Sequence, residues 1–527
     1  MTHPNSKPSL NRLPLYDWLT DRGCGVLLHP TCFPGDQGIG TLGNASYAFI
    51  DFLEQCHMGY WQVCPLGPTG FGDSPYQTFS AFAGNPYLID FRQLIEEGLL
   101  RDRDVEPLRF LPGSKTDFGM VYEKKWPLLY KAFLSFKKSP ERWKDLEQSF
   151  RQFSEVNAAW LKPWGLYMAL KEKFGGRSWL DWPEKFRDYS GISTRGLDGD
   201  TRLLSQAHKF YQFLFFRQWK VLKAYANERG IQIIGDVPIY SALDSADVWS
   251  CPERFQIDPK TFQPKAFAGV PPDFFTEDGQ FWGNPLYDWD RLEKTGFCWW
   301  LERLSAAFYL CDIIRIDHFR GFQAYWSIPA GSEKAFQGRW IKAPGLRFFE
   351  VIKGAIPDAK IIAEDLGLIT PEVVKLREDT GIPGIAVLQF AFGGGNDNFY
   401  LPHNMQPNSV AYSGTHDNDT SRGWFNAASE STQDHVRRYL DTPGDAINWD
   451  LIRAAYRSVA KLAIFPLQDL MGLGSEARMN TPGQALGNWQ WRYQTWQLEK
   501  LTRESSPYLQ LMADLYRRTA RTGQNET

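Results

Sequence analysis

Four short stretches gather the side chains capable of acid–base or nucleophilic chemistry. They are GDVP with Asp236, RIDHFRG with Arg315 and Asp317, AEDLG with Glu364 and Asp365, and GTHDNDT with His416, Asp417, Asn418 and Asp419. An aspartate and a glutamate held in one pocket have the chemistry of acetal cleavage. In retaining glycosidases two such groups lie about 5–5.5 Å apart; one attacks the sugar, the other protonates the leaving oxygen and later deprotonates the acceptor. The acid needs a raised pKa, which burial and a neighbouring carboxylate supply. Arg315 beside Asp317 would keep that aspartate ionised, while Asp417 and His416 are placed to hold the hydroxyls of a distorted ring.

Plainer readings stand beside these. Asp417 to Asp419 precede a helical stretch and would serve as N-caps. Asp236 reads equally as a buried partner for Arg315, and His318 as a packed core imidazole. A metal held by His416, Asp417 and Asp419 is conceivable, but no D-x-D-x-D-G loop or H-E-x-x-H accompanies them, so no metal is expected. The glycine-rich stretch 67–72 lacks the lysine of a phosphate cradle, and no cofactor is expected.

These residues close apolar runs, and the runs must position them. Eight segments rich in Val, Ile, Leu or aromatics read as strands buried on both faces: 25–29, 61–66, 231–239, 313–319, 360–366, 385–392, 410–416 and 462–470. Helix-period segments fall between many of them, at 47–55, 207–229, 299–309, 346–356, 371–378 and 449–460. Strand and helix in alternation predict a parallel sheet, and eight such strands favour a closed (β/α)₈ barrel spanning the chain as one catalytic unit, 1–527. A doubly wound sheet is the alternative, but no G-x-G-x-x-G follows any of the strands. The span 67–205 is too long for one crossover and predicts an inserted, mostly helical subdomain, helical at 122–153 and 160–174.

Barrel active sites lie at the strand C-termini, where the acids stand. In RIDHF alternation turns Arg315 and Asp317 into the mouth, with Ile314, Ile316 and His318 facing the other way. In AEDLG either Glu364 or Asp365 can face inward, and alternation does not choose. Neighbouring strands are ~4.8 Å apart, so a close carboxylate pair needs no special geometry.

Composition narrows the function classes. The 527 residues are 43% hydrophobic and 23% charged, which gives ample core and no bulk disorder. A net charge of −3 draws in neither nucleic acid nor an anionic membrane surface. Seven cysteines without a close pair point to reduced thiols, and no apolar stretch approaches a membrane span or leader, so a cytoplasmic protein is expected. Aromatics reach 15%, with 21 Trp; most must be core, and some could line a groove for flat apolar sugar faces.

RIDHFRG, AEDLG and GTHDND, in that order, resemble the conserved-region motifs of the α-amylase clan. LGPTGFGDSPYQTFSAFAGNPYLID, AGVPPDFF and GQFWGNPLYDW resemble the amylomaltases, or disproportionating enzymes, of glycoside hydrolase family 77, a likeness running from Leu27 to Trp491. The resemblance implies a 4-α-glucanotransferase that passes α-1,4-glucan segments through a covalent glycosyl-enzyme, disproportionating maltooligosaccharides. Its donors would be maltooligosaccharides, amylose, starch or glycogen chains, with glucose or maltose as acceptors. It implies Asp317 as nucleophile, Glu364 rather than Asp365 as acid/base, and Asp417 as the acid stabilising the transition state. Asp236, Arg315 and His416 match the groups holding the sugar at the cleaved bond, and Tyr76, in SPYQ with Ser74, the ring beneath it. Asp273, Phe274, Phe275 and Trp282 match a segment arching over the site, so the insertion 245–290 is expected to form a lid. Within it 267–288 reads as a Gly/Pro-punctuated loop rich in rings, suited to excluding water, or else as an ordinary packed Ω-loop. Phe71 stands where the family often has Tyr, which removes a hydroxyl from any secondary glucan site there. No long N-terminal extension and no separate C-terminal β-domain are expected. Two other readings compete: a plain α-glucan hydrolase on the same barrel, and a non-catalytic glucan-binding protein. The second gains nothing from a carboxylate pair that repels itself.

Overall fold

Eight parallel strands make one sheet in the computed structural model, which describes residues 14–70, 72–193, 196–272 and 278–520. They are β1 (Gly23–Leu27), β2 (Tyr60–Gln62), β3 (Gln232–Val237), β4 (Ile313–Ile316), β5 (Ile361–Ala363), β6 (Gly384–Val387), β7 (Ser409–Tyr412) and β8 (Leu462–Pro466). They pair in the order β6-β7-β8-β1-β2-β3-β4-β5. The Ala363 amide donates to the Pro383 carbonyl at 2.9 Å across the join of β5 and β6. The expected (β/α)₈ barrel is therefore the fold.

The apolar runs form a barrel because each strand has two faces to bury. Leu27, Ile234, Ile313, Ile362, Ile385, Val410 and Ile464 fill the lumen as one cluster. Their neighbours Ile314, Ile316, Ile361 and Ala363 join the cluster between strands and helices. Helices stand where the 3.6 period places them, at Asn44–Gln55, Gly199–Glu228, Cys298–Leu310, Leu346–Ala355, Pro371–Thr380 and Ile447–Arg457. Helices Phe118–Lys138, Lys144–Val156 and Ala158–Lys173 lie in the stretch between β2 and β3. They pack on Gly199–Glu228 largely through rings, with Phe136 stacked on Phe210 at 4.6 Å and Phe153 against Phe216 at 5.5 Å. Trp61, Trp164, Trp179, Trp182, Trp219, Trp249 and Trp300 are fully buried, so packing accounts for many of the tryptophans.

The stretch expected as one long loop, 267–288, departs from that reading. Ala266–Val270 and Gln280–Pro285 are strands, and with Ala324–Pro329 and Arg339–Lys342 they build a four-stranded antiparallel sheet. The segments AFAGV and QFWGNP are short and broken by glycine, so no alternation reveals them, and the second strand that pairs with AFAGV, 324–329, lies beyond β4. After β8 the described residues carry helices and loops but no further sheet strand. All seven cysteines are free. Among the described residues no helix is long and apolar enough to cross a membrane.

Candidate active site

The ladder continues one residue past the ends of β4 and β5. Asp317 N donates to Val237 O and Glu364 N to Ile316 O, each at 3.0 Å, so the backbones of both acids are fixed by the barrel itself. Asp317 keeps the inward parity of Ile313 and Arg315, and Glu364 that of Ile362. The Glu364 carboxylate accepts from His318 N at 2.7 Å and from Leu366 N at 2.8 Å. It is thus tied to the amide that directly follows Asp317. Asp365 turns away, accepting from Arg377 Nη1 at 2.8 Å and Ile385 N at 2.9 Å. Gly384 makes room for it, since a Cβ there would lie 2.5 Å from Asp365 Oδ2. The choice that alternation left open falls to Glu364.

Arg315 Nη1 joins two of the acids, donating to Asp236 Oδ2 at 2.6 Å and to Asp317 Oδ1 at 3.1 Å. Tyr76 OH donates to the same Asp236 oxygen at 2.8 Å, while Asp236 Oδ1 is buried without a partner. Asp236 is therefore the buried partner of Arg315 and still has one oxygen to offer. Tyr76 is set by Ser74, whose Oγ accepts from the Tyr76 amide at 3.2 Å. Its ring stacks on His416 at 5.1 Å and 19°, and Trp489 leans on both rings at 5.9 and 5.8 Å.

From the β7 loop, Asp417 takes a hydrogen bond from Asn480 Nδ2 at 2.6 Å and faces His416 Nε2 at 3.3 Å. The N-cap expected among Asp417 to Asp419 is instead Thr420, whose Oγ1 accepts from Gly423 N at 3.1 Å. Asp419 bonds the Thr420 amide and Ser475 Oγ, and Asn418 closes a turn on Thr415.

His318 also departs from expectation. Alternation sent it to the helix side, but β4 ends at Ile316 and His318 adopts φ +54°, a left-handed backbone that turns its ring into the cleft. The ring meets Trp282 edge-on at 4.9 Å and 89°, and its Nε2 has no partner. Ser74, Tyr76, Trp282, Arg315, Asp317, Glu364 and Asp417 all line one cleft of about 800 Å³. Asp273, Phe274, Phe275 and Phe71 lie outside the described residues. Sequence reading missed Asn480 and Trp489, which come from a segment, 478–491, with no periodicity to mark it.

Burial pushes the Asp317 carboxyl up to about 6 against the pull of Arg315. Burial, then the charge of Asp317, pushes Glu364 higher, to about 7, despite Arg315 and its two backbone donors. Burial also acts to raise Asp417, but His416 and Asn480 outweigh it and hold that acid below the usual carboxylate range. Burial disfavours the His416 cation, yet Asp417 beside it raises the imidazole overall. The arrangement is two acids of raised pKa, Glu364 the higher, and a third carboxylate held low, on the same cleft, with Arg315 bridging Asp317 to Asp236.

A family model described as 4-alpha-glucanotransferase, glycoside hydrolase family 77, matches residues 28–499. The chain belongs to this family. It is 49% identical to the 4-alpha-glucanotransferase of Thermus thermophilus over 481 residues, which is 89% of this chain and 94% of that one. It is 46% identical to that of Synechocystis over 506 residues, 95% of this chain and 99% of the relative. Its fold matches the amylomaltase of Streptococcus agalactiae in complex with acarbose at a TM-score of 0.90 and 38% identity, covering 94% of this chain and all of that one. The activity is that of a 4-α-glucanotransferase, as the motifs around Asp317, Glu364 and Asp417 led one to expect.

Proposed function

We propose that this 4-α-glucanotransferase works by retaining double displacement on α-1,4-glucans, with Asp317 as nucleophile, Glu364 as acid/base and Asp417 as transition-state stabiliser. The observation that carries the assignment is the tether of Glu364 to the amide following Asp317, with both carboxyls on one cleft. In the first step Asp317 attacks the anomeric carbon while Glu364 gives its proton to the leaving oxygen. In the second, Glu364 as carboxylate takes the proton of an acceptor hydroxyl, which displaces Asp317. The order of the two pKa values, Glu364 above Asp317, matches these roles. His318 Nε2 is a buried polar atom of the cleft wall without a protein partner, and a sugar hydroxyl in the cleft would satisfy it. The ring faces of Tyr76 and Trp282 supply apolar surface for the pyranose.

Maltotriose as sole substrate tests the reading. Transfer yields glucose together with a ladder of oligomers longer than the substrate; maltose and glucose alone would mean a hydrolase. The pH profile of kcat/KM adds a second check. Asp317 must be ionised, so activity falls as pH drops through about 6; Glu364 must be protonated, so it falls again as pH rises through about 7. Because the two groups interact, the limbs belong to the pair. A rate that stays level up to pH 9 would contradict the assignment of Glu364.

A further inference from the structure

Trp340 is a large ring on the wall of the active-site cleft that none of the roles above uses. It stands on Arg339–Lys342, an edge strand of the four-stranded sheet, and 37% of its surface is open. Its position is firmly set. The Arg320 guanidinium lies 3.7 Å from the centre of the ring, and Trp326, its partner across the strands, meets it at 5.1 Å and 66°. Arg320 is itself buried, bonds the Leu368 carbonyl through Nη1, and has an Nε without a partner. Leu368, 40% exposed, lines the same wall. An exposed tryptophan and leucine held side by side through a buried arginine form a rigid apolar surface beside a hydrogen-bond donor. That pairing suits a pyranose, which has apolar C–H faces and a polar rim.

The side of the cleft follows from the acid/base. Leu366, Gly367 and Leu368 continue the loop that begins at Glu364, and Phe319 N bonds the Glu364 carbonyl at 2.9 Å. Tyr76, His416, Asp236 and Arg315, the groups the family resemblance places against the sugar at the cleaved bond, cluster together around the other carboxylates. Glu364 protonates the leaving oxygen, so the leaving or accepting chain runs past Glu364 onto its own loop, toward Trp340.

We propose that Trp340, backed by Arg320, is a stacking platform for an outer glucose unit of the accepting or leaving α-1,4-glucan, beyond the unit next to the cleaved bond. It sets the preference for oligosaccharide over monosaccharide acceptors. The inference rests on Glu364 as acid/base, but its test is read from acceptor length alone.

Labelled α-glucosyl fluoride as donor loads the enzyme without filling the acceptor side. Label is then followed into maltose with glucose as acceptor and into maltotetraose with maltotriose as acceptor. For Trp340→Ala, kcat/KM for maltotriose relative to that for glucose should fall about three- to tenfold; Trp340→Phe, which keeps a ring, should restore most of the ratio. The ratio does not depend on how much enzyme is active, so partial misfolding leaves it readable, and Trp340→Leu serves if the alanine variant does not fold. A purely structural role would lower both acceptors together. An unchanged ratio in the alanine and leucine variants would overturn the proposal, whatever carboxylate proves to be the base.

Discussion

Asp317→Asn is expected to lower transfer by several decades, on the order of 10⁴- to 10⁶-fold, while glucan still binds. The amide has nearly the shape of the carboxylate but cannot form the glycosyl ester. Arg315 keeps its 2.6 Å bond to Asp236, so the cluster beneath the cleft retains its main ion pair. Loss confined to kcat, with maltooligosaccharide affinity measured by calorimetry little changed, is the predicted pattern. Turnover near that of the parent enzyme would remove Asp317 from its role.

The second large effect depends on the donor. Glu364→Ala should cost about 10²- to 10⁴-fold on maltotriose, whose leaving sugar oxygen needs a proton. With α-glucosyl fluoride the first step should be far less affected, because fluoride departs without one. The alanine variant also leaves the His318 and Leu366 amides without their carboxylate acceptor, whereas Glu364→Gln retains an acceptor oxygen. The glutamine variant loses the proton but keeps one of the two anchoring bonds, so its comparison with alanine weighs the proton against the anchor. Equal losses on both donors in both variants would show that Glu364 holds the site together rather than moving a proton.

Much of this architecture is legible in the sequence for a simple reason: parallel strands buried on both faces are unbroken apolar runs, and the acids stand out at their ends. The limits are equally physical. Ile361, Ile362 and Ala363 are all apolar, so nothing in AEDLG tells which parity faces the lumen; only the packing of Ile362 inside the barrel decides for Glu364. At His318 alternation does not apply, because β4 ends at Ile316 and His318 is left-handed. The four-stranded sheet was hidden because its strands are short and pair across two different barrel loops. Asn480 and Trp489 reach the site over more than sixty positions from His416, in an aperiodic segment with no local signal. Family likeness supplied the roles of Glu364 and Tyr76; the residues alone supplied the pairing of acids and the inward turn of Arg315 and Asp317.

The covalent step can be seen directly. Glu364→Gln incubated with α-glucosyl fluoride in the absence of acceptor should take up one glucosyl group, since the fluoride leaves readily and the base that would complete transfer is missing. Mass spectrometry of the digested protein should place that sugar on the peptide carrying Asp317, and on its carboxyl. A sugar on Asp236, Asp417 or another residue, or fluoride release with no sugar attached at any time, would contradict the assignment of Asp317 as the nucleophile.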